Sequence, residues 1–146
     1  MRNDPEAAWD RLPRAGPERG AAAARLRRVA RLALRVLLTA LALALLGQAF
    51  TAGVAAVTNP EWWDAHRAWV HIFQWLVVPI PFAAVLADVP RGLKWASPVP
   101  LVLIGLQYVL VHRAISGALP LGFGMHAVSA LILFGVTVLL AMFAWR

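Results

Sequence analysis

Four long apolar runs constrain this chain more than any other feature. They are "VLLTALALALLGQAFTAGVAAV" (residues 36–57), "AWVHIFQWLVVPIPFAAVLA" (68–87), "WASPVPLVLIGLQYVLV" (95–111) and "FGMHAVSALILFGVTVLLAMFAW" (123–145). Apolar blocks of about 18 residues or more can cross a hydrocarbon core about 30 Å thick, whereas helices of a soluble core need neither that length nor that uniformity. Composition agrees: 61% of the 146 residues are hydrophobic and 14% charged, against roughly half and a quarter in a soluble domain. The expectation is an all-α integral membrane protein, because backbone polar groups in lipid must be satisfied within each span.

Charge and cysteine content narrow the options further. The formal net charge is +7, but nine of the fourteen Lys and Arg residues precede residue 36. That asymmetry reads as membrane topology and contact with anionic lipid rather than as a nucleic-acid surface. There is no cysteine, which excludes a disulfide framework, thiolate metal sites, iron-sulfur clusters and c-type haem attachment.

Residues 1–24 mix Pro, Gly, Ala and both charge signs without an apolar stripe, and read as a disordered basic cytoplasmic tail. Residues 25–146 then form a four-helix transmembrane domain. Its first span follows Arg25, Arg27, Arg28, Arg31 and Arg35 and is too long for the apolar region of a cleavable signal peptide, so it reads as an uncleaved anchor. "TNPEWWDAHR" (58–67) reads as an outer loop with an interfacial Trp pair, "DVPRGLK" (88–94) as a cytoplasmic turn, and "HRAISGALPLG" (112–122) as a second outer loop. Pro79 and Pro81 should kink the second span near Val77 to Pro81. Short connections imply antiparallel neighbours, hence an up-down-up-down bundle with both termini in the cytoplasm, in the bacterial cytoplasmic (inner) membrane.

Polar side chains inside spans are costly and so are functional candidates. They are Gln48, His71, Gln74, Gln107 and His126. With this topology His71 and His126 lie at similar shallow depth near the outer face, and Gln107 reaches the same layer. Two imidazoles facing each other across a bundle can hold a b-type haem, with Arg67 and Arg113 at the outer rim for its propionates and His66 or His112 as alternate ligands. Two other readings stay open: polar contacts that only hold helices together, and a proton- or quinone-handling site. Glu61 and Asp64 read as a solvated rim, and no phosphate loop, zinc-protease helix or nucleophile elbow is present, so no catalytic constellation is read. The partners expected are the lipid bilayer and either a membrane redox partner or further copies of the chain, with no nucleic acid.

The stretch "VPRGLKWASPVPLVLIGLQYVLVHRAISGALPLGFGMHAVSALILFGVTVLLA" (89–141) resembles a group of small bacterial four-helix membrane proteins of unknown function. The shared pattern spans residues 36–145. It joins Gln48, Ala52 and Gly53 in the first helix, His71 in the second, Gln107 in the third, and His126 with Ala130 in the fourth. It also looks like one half of haem A synthase, whose four-helix halves hold haem through histidines on their second and fourth helices. That resemblance implies His71 and His126 as an axial pair. It departs from the synthase in having a single bundle and no matching acidic residue, so it implies haem binding for electron transfer or haem handling, without haem A synthesis.

Overall fold

Helix propensity favours a helix from the first described residues onward. In the computed structural model, which describes residues 17–146, α1 runs unbroken over Pro17–Val57, 41 residues. Glu18 supplies a first-turn acid and Ala21 to Ala24 are the strongest helix formers available. The tail expected to be disordered over residues 1–24 is thus helical from Pro17, and its remainder, residues 1–16, lies outside the described residues. At 1.5 Å per residue α1 is about 60 Å long, roughly twice a hydrocarbon core. Burial starts only at Ala30, so the turns carrying Arg25, Arg27 and Arg28 extend past the rest of the bundle.

The first connection is tighter than expected. The N–H groups of Thr58 and Asn59 both donate to the Val54 carbonyl, at 2.9 and 3.0 Å, and the Asn59 Oδ1 accepts the Glu61 N–H at 2.9 Å. This Asx turn around Pro60 reverses the chain in four residues, and α2 (Trp62–Phe73) begins at once. The outer loop expected to continue to Arg67 ends before Trp62, and His66 and Arg67 are helical.

A 3₁₀ turn (Gln74–Val77) separates α2 from α3 (Pro79–Leu86). Pro79 and Pro81 donate no backbone hydrogen bond and their rings crowd the preceding turn, so the ladder distorts one turn before the prolines. Asp88, at φ 51°, and Pro90 turn the chain into α4 (Arg91–Ala96), and the Ser97 hydroxyl donates to the Lys94 carbonyl at 2.8 Å where α4 ends. α5 covers Val99–Ile115, so His112 and Arg113, expected in a loop, form its last turn. Gly117, at φ 73°, lies in the turn before α6 (Gly122–Trp145).

Four stretches, Gly20–Val57, Trp62–Leu86, Arg91–Ile115 and Gly122–Trp145, are long and apolar enough to cross a membrane, and the described residues contain no strand. α1 packs on α2, α3 and α6, and α6 packs on α1 and α5. The second and third stretches meet only narrowly, at the 3₁₀ turn and between α3 and α4. Leu34, Leu38 and Leu41 of α1 interlock with Ile80 and Ala84 of α3 and with Leu133, Thr137 and Leu140 of α6, spaced three and four residues apart. Alanines at 30, 44, 83, 84, 87 and 144 let backbones approach closely. Closest of all is Gly122, where a Cβ would stand 2.8 Å from both the Leu110 carbonyl and the Ala114 Cβ.

The outer surface is itself strongly apolar. Ile72, Trp75, Phe82, Val102, Leu131 and Met142 are exposed, whereas Gln107, Ser129 and Thr137 are buried. An exterior of this kind far exceeds the apolar patches of soluble monomers and points to a membrane protein in contact with lipid.

Candidate functional site

The polar side chains gather at the end of the bundle where α1 turns into α2 and α5 into α6. Along α2 and the 3₁₀ turn after it, the inward residues follow helical spacing: Phe73 and Val77 are buried, Trp69 donates its indole N–H to the Ala44 carbonyl at 2.9 Å, and His66 lies one turn earlier. Gly47 makes room for that indole, since a Cβ there would lie 3.1 Å from Trp69 Nε1.

His66 is half-buried against α1. The Gln48 side-chain nitrogen stands 2.9 Å from His66 Nε2, while His66 Nδ1 lies 3.2 Å from both the Gln48 carbonyl and Thr51 Oγ1. The Thr51 hydroxyl itself donates to the Gln48 carbonyl at 2.9 Å. One tautomer satisfies all four contacts: the neutral ring carries its proton on Nδ1, donating to those oxygens, and Nε2 accepts from the Gln48 amide. Gln48 Oε1 is then left buried with no hydrogen-bond partner.

On the opposite side of the bundle Gln107, buried on α5, clasps the first turns of α6. Its amide is oriented so that the nitrogen donates to the His126 carbonyl at 3.1 Å and to His126 Nδ1, while the oxygen accepts from the Ala130 N–H at 2.8 Å and the Ser129 hydroxyl at 3.2 Å. His126 Nδ1 is therefore an acceptor and the ring proton resides on Nε2.

His71 does not join this layer. It is exposed, five residues after His66 and so about 140° around the helix at 3.6 residues per turn. Its neighbours form a separate cluster at the narrow seam between the second and third stretches. The Tyr108 hydroxyl donates to Gln74 Oε1 at 2.7 Å and lies 3.4 Å from His71 Nδ1, and Gln74 Nε2 donates to the His71 carbonyl at 3.3 Å. The helical start of α2 at Trp62 sets this phase: it turns His66 inward and His71 away.

The rim residues are also placed differently from the sequence expectation. Arg67 pairs with Asp64 on the exposed side of α2, Arg113 is exposed in the last turn of α5, and the ring N–H of His112 donates to the Tyr108 carbonyl of its own helix at 2.9 Å. Thr51 and Tyr108 were not singled out by the sequence. The signal for Thr51 is its i+3 position after Gln48 on one face of α1.

These donors permit a direct test of fit to haem. His71 and His126 face different partners, so that pair does not assemble an axial set. His66 and His126 are half-buried imidazoles on different helices, and His66 holds its Nδ1–H against a carbonyl as a ligating histidine does. Each ring nevertheless has one nitrogen engaged by a glutamine, and in His126 the other nitrogen carries the proton. Among the described residues no group of three or more His, Cys, Asp or Glu side chains assembles a metal site.

No curated protein and no solved structure matches the chain, so the likeness to haem A synthase rests only on the residues that carry it. Residues 48–115, just under half the chain, match the family described as a family of unknown function (DUF6220), a match that opens on Gln48 and takes in His66, His71 and Gln107 but not α6.

Proposed function

We propose that this chain is a non-catalytic membrane module whose outer polar layer locks four helices into one arrangement. The helices run up-down-up-down through the bacterial cytoplasmic membrane, with both termini on the cytoplasmic side, where the Arg25 to Arg35 cluster favours retention. One observation carries the reading: the glutamine amides are spent on helix-to-helix bonds, Gln48 to His66 between α1 and α2 and Gln107 to His126, Ser129 and Ala130 between α5 and α6. Such bonds are worth about 0.6 to 2 kcal/mol each in a bilayer, enough to select one packing among near-equals. The module would serve as an accessory subunit or assemble with further copies of itself. Replacing both glutamines by leucine tests this: the purified variant should lose thermal stability and dispersion of its amide resonances while remaining helical. A double variant as stable and as well ordered as the parent would sink the reading.

A second reading starts from His66 and His126. These two rings are half-buried on different helices, and Gln48 leaves a buried oxygen without a partner beside one of them. They would be the axial residues for a b-type haem, which would supply one-electron transfer. His66 would keep its Nδ1–H on the Gln48 carbonyl, and His126 would have to shift its proton from Nε2 to Nδ1 as Gln107 turned its amide oxygen toward the ring. A reduced-minus-oxidised difference spectrum of protein from haem-replete cells decides between the readings: a six-coordinate b-type signature supports haem, and a colourless protein removes it.

A further inference from the structure

We propose that the cleft at the arginine-bearing end of the bundle binds one anionic phospholipid, with the headgroup phosphate held by Arg31, Arg35 and Arg146 and an acyl chain lying between α4 and α6. The site is at the opposite end of the molecule from the histidine layer and shares no residue with it, so its fate is independent of either reading above.

The cleft has a volume of about 740 Å³ and is bounded by α1, α4 and α6. That is the size of a small-molecule pocket, about 300 to 1,000 Å³. Its walls are apolar, formed chiefly by Leu93, Ala96, Val136, Leu140 and Phe143, and its rim is basic. Arg31 and Arg35 are four residues apart and share one face of α1. Arg31 donates to the Ala87 carbonyl at 3.4 Å, and Arg35 uses Nε on the Ala144 carbonyl at 2.8 Å with its guanidinium 5.2 Å above the Trp145 ring. These bonds orient both side chains and leave most of their N–H groups for a ligand, because a guanidinium carries five. Arg146 is held 5.1 Å over Phe143 at the same rim.

Charge decides what the cleft takes. The one side-chain carboxylate lining it, Asp88, pairs with Lys94 at 3.2 Å, and among the described residues no side-chain carboxylate pairs with Arg31, Arg35 or Arg146. Three guanidinium groups gathered at one rim, with the lining side-chain carboxylate already paired to Lys94, favour a phosphate, and guanidinium forks match its oxygens bidentately. A free phosphate would use the rim and leave the apolar walls idle. An anionic lipid uses both, and Leu139 and Phe143 open the cleft onto the lipid-facing surface. Basic pockets between spans on the cytoplasmic side recognise such headgroups.

Native mass spectrometry of the full chain in detergent, with added phosphatidylglycerol or phosphatidylcholine, tests the site. One phosphatidylglycerol should be retained in preference, and Arg31→Gln and Arg35→Gln should each weaken retention about fivefold, the size expected for one basic residue near an anionic lipid. Ala96→Trp, which fills the wall and keeps every arginine, should abolish retention, while Arg35→Lys should restore part of what Arg35→Gln loses. Millimolar inorganic phosphate should leave the lipid bound. Equal retention of both lipids, retention untouched by Ala96→Trp in a protein of unchanged helicity, or displacement by phosphate alone would overturn the proposal.

Discussion

The amide of Gln48 donates to Nε2 of His66 across 2.9 Å, tying α1 to the first turns of α2 and fixing the ring as its neutral Nδ1–H tautomer. Because the ring is also held by Thr51, removing either partner strands a half-buried polar group, and this sets the size of the first effect expected.

Gln48→Leu and His66→Leu should each destabilise the bundle, and the double variant should be less unstable than the two single effects added. The coupling should be about 0.6 to 1.7 kcal/mol, the range for interhelical hydrogen bonds in a bilayer. Reversible unfolding of the four proteins in mixed micelles measures it. Strict additivity would show that the contact is not energetically coupled.

Gly122→Ala should be the most damaging methyl addition among the described glycines. The new Cβ would meet the Leu110 carbonyl and the Ala114 Cβ at 2.8 Å, both on α5, and backbone cannot move aside as a flexible side chain would. Overpacking of this kind costs about 1 to 3 kcal/mol. Gly124→Ala, where nothing lies within 4 Å, is the matched control and should be close to neutral. Melting temperatures in one detergent compare them, and equal melting of the two variants would contradict the packing.

If purified protein carries a haem spectrum, it should vanish in His66→Ala and His126→Ala and survive in His71→Ala. His71 is exposed and bonded toward Tyr108 and Gln74, on the wrong side of α2 for the pair. A spectrum lost in His71→Ala alone would restore the pairing expected from sequence.

Trp69→Phe should lower stability by roughly 0.5 to 1.5 kcal/mol, the net worth of an ordinary hydrogen bond, because phenylalanine keeps the ring but not the donor to the Ala44 carbonyl. Thermal unfolding followed by circular dichroism reports it. A variant as stable as the parent would mean that the Ala44 carbonyl is as well satisfied without the indole.

The number of helices and their apolar character were legible from hydropathy alone, since length and apolarity are properties of the residues themselves. Helix ends were not. Asn59 caps a turn so short that α2 starts at Trp62, and α4 begins at Arg91, so that Arg91 to Lys94, read as part of a turn, are helical. Those ends decide phase, and phase decides which histidine points inward. Depth alone favoured His71. The spacing of inward residues was available, however: Ile80, Val77 and Phe73 step back at three and four to His66 and pass His71 by. Gln48, Gln107 and His126 were found because an isolated polar residue in an apolar span stands out. Tyr108 was hidden by its ordinary place near a span end.

The grip of Gln107 on α6 has a mechanical consequence. Its amide bonds the His126 carbonyl and the Ala130 N–H, an acceptor and a donor of one helical turn. Leucine and valine faces tolerate a helix that rotates or slips, because one greasy surface resembles the next. A planar amide engaged at both ends does not: turning α6 by one residue, about 100°, or sliding it by about 1.5 Å removes both bonds together. In a bundle sealed mostly by interchangeable aliphatic contacts, that single side chain works as a detent, setting the azimuth and height of the last helix and with them the direction in which His126 looks.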